Sequence, residues 1–171
     1  MDAKPFLVEI GRLMRQVNLE AVLIGNAAAA LQGAPVTTVD FDFLFRKTPR
    51  NLGKLKALAR ALRATVLRPY YPVSDLYRIV REDDGFQLDF MGTIHGIRSF
   101  EGVRARAAVV EIDGVPILVA SLADIIRSKR ARDGPETWRS WKSWRTPLKK
   151  PSGRRQNWQR WREKVSVASA P

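Results

Sequence analysis

Thr37-Thr-Val-Asp-Phe-Asp-Phe-Leu-Phe45 is the stretch on which the fold turns. β-Branched and aromatic residues dominate it and apolar residues alternate along it, which predicts a β-strand. The alternation sets Val39, Phe41, Phe43 and Phe45 on one face and Thr38, Asp40, Asp42 and Leu44 on the other. Asp40 and Asp42, two residues apart, then point the same way, with about 6–7 Å between them. Such a pair can sit on a solvated strand face with no partner. The Val and Phe flanks argue instead for a buried strand, where two like charges call for a cation. With carboxylate oxygens as the ligands on offer, the fitting cation is magnesium, held together with substrate phosphates.

Working outward, Ala21-Val-Leu-Ile24 is a short apolar run that stops at Gly25, a buried strand. An alanine-rich helix over Asn26–Gln32 follows at once and ends at Gly33-Ala-Pro35. A glycine between strand and helix lets backbone amides approach a phosphate, although Gly25-Asn26 would also serve as an ordinary turn and cap. Asp2 to Val17 has helical spacing, and Pro49 to Leu62 places Leu52, Leu55, Leu58 and Leu62 on one stripe of a second helix. Pro69-Tyr-Tyr-Pro72 reads as a loop.

Leu76–Val80 and Phe86–Met91 predict strands joined at Asp83-Asp84-Gly85, a hairpin turn that accounts for both turn aspartates. Asp89 lies inside the second of these strands, in Gln87-Leu-Asp-Phe-Met91. An acid in such a run either pairs with a base or joins a metal site. Ser99 to Ala107 predicts a short helix, and Val109–Ile112 and Val115–Val119 flank a second hairpin turn, Asp113-Gly114. Ser121-Leu-Ala-Asp124 is a capping box that opens a helix running to about Arg132. That helix carries Lys129, which either reaches a phosphate or stays solvated. His95, in a loop between Gly92 and Gly96, receives no role, because a lone histidine makes neither a triad nor a metal centre.

The chain has 171 residues and no cysteine, which excludes disulfides and thiolate metal sites. Its single histidine argues against zinc. No apolar run reaches the roughly 18–20 residues of a membrane span, and no leader-like segment opens the sequence. The expectation is a soluble, cytoplasmic protein with no membrane partner. The net charge of +13 is uneven: residues 127–171 hold 14 Lys/Arg against 3 Asp/Glu, and residues 1–126 hold 16 against 14. The sequence therefore divides into a nearly neutral domain over 1–132 and a basic tail over 133–171. The tail contains all five tryptophans, and Trp138, Trp141 and Trp144 recur with a period of three that fits neither helix nor strand. Irregular structure is expected there, apart from a short basic helix over 156–164. Interleaved Trp and Arg could stack on and neutralise single-stranded RNA.

In this order the pieces resemble the DNA polymerase β-like nucleotidyltransferase superfamily. Its signature is a strand, Gly-[Gly/Ser], a helix, then Asp-x-Asp on the next strand and a third acid on a later one. Leu23-Ile-Gly-Asn-Ala-Ala28, Asp40-Phe-Asp42 and Asp89 match it. Gly33-Ala-Pro35 leading into the Asp-x-Asp strand looks like the small bacterial and archaeal branch, which includes nucleotidyltransferases of abortive-infection and toxin–antitoxin systems. Ser121 to Lys129 resembles that branch's Ser-Leu-x-Asp-Leu/Ile-Ile-x-x-Lys helix. The resemblance covers about residues 5–132 and implies a minimal α+β fold, a small mixed β-sheet flanked by helices. It further implies transfer of a nucleoside monophosphate from a nucleoside triphosphate, ATP or another, to a hydroxyl acceptor. RNA, a protein or a small molecule all remain open as that acceptor. Asp40, Asp42 and Asp89 would be catalytic and hold two magnesium ions; Gly25, Asn26, Thr38 and Lys129 would contact the nucleotide.

The sequence departs from the pattern at three places. Asn26 replaces the second Gly or Ser, Val36 stands where relatives carry a basic residue, and the tail replaces an acidic, leucine-rich helix. A frame-shifted reading of that helix would leave such a tail. A leucine-rich helix in another frame of the underlying DNA would support this, and its absence from both would refute it. The rival readings are a catalytically inactive nucleotide- or partner-binding module of the same fold, and RNA binding through the tail.

Overall fold

The computed structural model describes residues 3–36, 38, 40–68 and 75–137. Five helices, α1 (Ala3–Gln16), α2 (Gly25–Leu31), α3 (Pro49–Ala61), α4 (Phe100–Arg106) and α5 (Leu122–Thr137), alternate with seven strands. The strands are β1 (Ala21–Ile24), β2 (Phe41–Phe45), β3 (Thr65–Leu67), β4 (Leu76–Arg81), β5 (Phe86–Met91), β6 (Ala108–Ile112) and β7 (Val115–Val119). They form one mixed sheet in the order β3-β4-β5-β2-β1-β7-β6. The β5–β2 and β1–β7 pairs are parallel and the other four antiparallel. The expected mixed sheet flanked by helices is what the chain forms.

Local chemistry explains most boundaries. Thr48 caps α3 by accepting from the Asn51 amide, with Pro49 in the first turn where its missing N–H costs nothing. Ser99 caps α4, accepting from Gly102 N at 3.1 Å. The serine half of the predicted capping box is present, with Ser121 Oγ accepting from Asp124 N at 3.2 Å, while the Asp124 carboxylate accepts from the Ser121 hydroxyl at 2.9 Å. In the β6–β7 turn, Asp113 and Gly114 both adopt positive φ, 48° and 75°, as a tight two-residue hairpin demands. In the β4–β5 turn, Asp84 accepts from Phe86 N and from Arg81, a purely local role.

The sheet has two differently furnished faces. On one, Phe43 stacks on Phe90 at 5.0 Å, and Phe45 meets Phe90 and Tyr77 edge-on. On this side Phe6 of α1 stacks on Phe86, and Gly11 brings α1 close against Val115 and Ile117. On the other face α2 packs on β1 and β2 and against α5.

Three expectations need correction. The Asp-x-Asp strand begins at Phe41: Thr38 Oγ1 accepts from Asp40 N at 3.1 Å, a local turn that takes the amide a ladder would use. Thr37 and Val39 lie outside the described residues. Leu44 does share the face of Asp42, and it is buried there because α2 covers that end of β2. The sheet gains an edge strand, β3, in a stretch the sequence pattern leaves unassigned. Finally, α5 continues through Gly134 and Pro135 to Thr137 instead of ending near Arg132. A proline so near a helix end removes one amide bond without stopping the last turn. The Pro69–Pro72 loop, the tryptophan pattern and the 156–164 helix lie outside the described residues.

Candidate functional site

Parallel pairing of β2 with β5 sets Asp42 directly beside Asp89, and antiparallel pairing with β1 sets Asp42 opposite Ile24. The chain leaves β1 at Gly25 and turns at once into α2. A cleft of about 720 Å³ opens here, walled by α2, α5, the acid face of β2, β5 and β4, and the loop after β5. All the residues expected to act, Gly25, Asn26, Thr38, Asp40, Asp42, Asp89 and Lys129, line this one cleft.

Gly25 is required by both conformation and space. Its φ is +69°, and a Cβ built on it would stand 2.5 Å from Asp42 Oδ2. Gly25→Ala is therefore expected to destabilise the fold by about 1–2 kcal/mol through backbone strain alone and to displace the Asp42 carboxylate. Gly53→Ala, in the exposed middle of α3 with nothing within 4 Å of the new methyl, is the control. It should stabilise by roughly 0.5–1 kcal/mol. Urea midpoints of the two variants moving in the same direction would contradict this reading.

Asn26 takes its place beside Lys129, whose Nζ donates to Asn26 Oδ1 at 2.7 Å and ties α5 to the start of α2. Thr38 spends its hydroxyl on the backbone of Asp40, so it shapes the approach to the acids. Asp40 is exposed at the mouth, whereas Asp42 is half-buried. Burial pushes the Asp42 carboxyl up to about 6; the charges of Asp89 and Asp40 add to the effect, while Lys129 and Arg132 oppose it.

Asp89 resolves the alternative left open by the sequence. Arg78, its register partner on β4, grips it with both arms of the guanidinium: Nε to Oδ1 at 2.7 Å and Nη2 to Oδ2 at 2.8 Å. Asp89 thus pairs with a base and also faces the cleft. The donor set fits a hard divalent cation at Asp40 and Asp42, an exposed carboxylate at the mouth repelling a half-buried one. It does not fit one at Asp89 in this arrangement, since both oxygens face Arg78. Among the described residues, no group of three or more acids, histidines or cysteines is arranged to hold a metal ion.

The sequence reading overlooked several residues of the cleft wall. Arg78 could have been found as the base within the apolar Leu76–Val80 run. Arg132 and Ser128 follow from the same helix face as Lys129. His95, Thr93 and Ile94 also line the cleft. Their loop leans on α5 so closely at Gly96 (φ +70°) that a Cβ there would meet Ala131 and the Arg127 carbonyl, and no local pattern shows that contact.

By sequence, the chain matches no protein-family profile and no curated protein. By structure it is similar to a candidate nucleotidyltransferase from Thermotoga maritima, with TM-score 0.60 and 19% identity over 82% of this chain and 90% of that one. It is also similar to the antibiotic-resistance factor ANT(2″)-Ia, with TM-score 0.53 and 18% identity over 98% of this chain and 90% of that one. A further structure of ANT(2″)-Ia contains adenylyl-2″-tobramycin. An antigenic nucleotidyltransferase-like protein from Paracoccidioides brasiliensis gives TM-score 0.51 at 16% identity, over 81% of this chain and 71% of that one. At these identities the likeness is one of fold, and the fold is that of nucleotidyltransferases.

Proposed function

We propose that this chain transfers a nucleoside monophosphate from a nucleoside triphosphate to a hydroxyl acceptor. The observation that carries the proposal is the convergence of Asp40, Asp42, Asp89, the Gly25-Asn26 turn and Lys129 on one cleft of a nucleotidyltransferase fold. Asp40 and Asp42 would hold magnesium, which when bound neutralises the triphosphate and the charge that develops in transfer. Gly25 leaves room for the Asp42 carboxylate beside the turn into α2, and Lys129 offers a phosphate a positive charge, with Asn26 fixing the lysine in place. The acceptor oxygen bonds to the α-phosphorus as the bond to pyrophosphate breaks. Asp89 stands beside Asp42 and faces the same space, and it could take the hydroxyl proton only on release from the Arg78 fork.

The acceptor class stays open between RNA, a protein and a small molecule. The adenylyl-tobramycin bound by one structural neighbour makes a polyhydroxylated amine a natural member of any panel. The setting we favour is the abortive-infection and toxin–antitoxin branch, on the strength of Gly33–Asp42 and Ser121–Lys129. RNA contact by the basic tail belongs to residues outside those described.

The test is to mix the protein with magnesium, each labelled nucleoside triphosphate, and RNA, protein and aminoglycoside acceptors, beside an Asp40→Ala/Asp42→Ala control. Label transfer that disappears in the control supports the proposal. Nucleotide binding without transfer to any acceptor would replace it with the second reading, an inactive binding module. The engagement of Asp89 by Arg78 is the observation in favour of that reading.

A further inference from the structure

We propose that Arg78 acts as a fixed counter-ion that withholds Asp89 from metal, so that the cleft takes one divalent cation, on Asp40 and Asp42, instead of two. This rests on the proposed function for the cation at Asp40 and Asp42, and adds to it a role for a residue of β4.

The contact is built into the sheet. Arg78 and Asp89 are register partners across the β4–β5 hairpin, so the backbone ladder delivers each side chain to the other. Both carboxylate oxygens are taken, at 2.7 and 2.8 Å, in the planar fork that suits guanidinium and carboxylate best. Gln87 lies two residues before Asp89 on the same face; with its amide turned so that the oxygen faces the guanidinium, it shares the same Nε and Nη2 donors at 3.0 and 3.1 Å. The pair is shielded: the Asp89 side chain keeps 17% of its accessible surface and Arg78 keeps 33%. A second divalent ion between Asp42 and Asp89 would have to displace a guanidinium held by three oxygens in a partly dehydrated site. Asp40 and Asp42, by contrast, carry no such fork among the described residues. Arg78 is a positioning residue on this view, acting on chemistry only through Asp89.

The experiment is direct titration of the full chain with Mn2+ alone, counting bound ions by electron paramagnetic resonance. The wild type is expected to bind one ion and Arg78→Gln two, the second at least tenfold tighter than any second ion on the wild type. Asp89→Asn in the wild-type background should leave the first affinity within about threefold, because Asp89 is already withheld. Arg78→Gln/Asp89→Asn should return to one ion, which also guards against a spurious site in a loosened variant. Two ions on the wild type, one of them lost in Asp89→Asn, would overturn the proposal, as would a single ion on both wild type and Arg78→Gln. Absence of Mn2+ binding from both proteins would instead remove the cation from the proposed function, and this inference with it.

Discussion

Asp42→Asn is expected to abolish transfer, by on the order of 10³-fold or more, while making the folded protein more stable at neutral pH. The two effects share one cause. The native fold pushes the Asp42 carboxyl from 3.8 up to about 6, chiefly by burial, with Asp89 and Asp40 adding repulsion. The folded state therefore binds this proton more tightly than the unfolded chain does. Its stabilising effect is fully present below about pH 4, fades as pH rises through 4 to 6, and is gone above that. At pH 7.5 the charged carboxylate opposes folding, by about 1–2 kcal/mol once partial exposure is allowed for. Asparagine removes the charge at nearly constant shape. Urea unfolding of variant and wild type should then show the variant ahead at pH 7.5 and the gap closing toward pH 4. Carboxylates remote from the cleft titrate alike in both proteins and cancel in the difference. Magnesium should stabilise the wild type and not the variant. Should the variant prove less stable at pH 7.5 in the absence of metal, Asp42 is not the strained group described here.

Asn51→Ala should cost about 3 kcal/mol of stability, without touching any residue of the cleft. Asn51 is 1% exposed, at the start of α3. Its Oδ1 accepts from Glu20 N at 3.0 Å, and its Nδ2 donates to the carbonyls of Glu20 at 3.0 Å and Arg46 at 2.8 Å. Glu20 immediately precedes β1 and Arg46 immediately follows β2, so one side chain clamps the end of the β1–β2 pair remote from the acids. Truncation would leave Glu20 N without its partner and would take from the Glu20 and Arg46 carbonyls the second of their two bonds, the first coming from Arg46 N and Thr48 N; each lost bond is worth about 1 kcal/mol. Asn51→Asp should be at least as damaging, since a carboxylate would then face two carbonyls. Denaturant midpoints with unchanged slopes would check both. A loss below about 1 kcal/mol in Asn51→Ala would mean that water replaces the amide freely.

How far the site could be read in advance depended on the range of the forces involved. Asp40, Asp42, Gly25 and the capped helix carrying Lys129 are local signals: strand alternation, a glycine between two elements, a serine three residues before an acid. Each follows from backbone geometry within a few residues, and so does the mixed α+β character of the chain. Thr38 lines the cleft as the strand pattern implied, but its bond to the Asp40 amide came from the fold, because a hydroxyl can bond nearby backbone as readily as a ligand. Asn51 gave no local signal at all, since two of its three bonds reach a residue 31 positions away.

Asp89 shows the boundary between the two kinds of information most clearly. The sequence determined that it sits in a strand after a hairpin turn, and that an acid there needs a partner. It did not determine which partner, because that depends on hairpin register. A two-residue Asp84-Gly85 turn would have set Val80 opposite Asp89. The four-residue turn, fastened by Asp84 to Arg81 and Phe86, sets Arg78 there instead. Local patterning thus determined the acids, the strand–turn–helix that faces them and the class of fold. The tertiary structure alone decided that Arg78 holds Asp89, that Asn51 clamps the central strands and that the His95 loop walls the cleft. Register and packing join residues whose separation along the chain leaves no periodic trace.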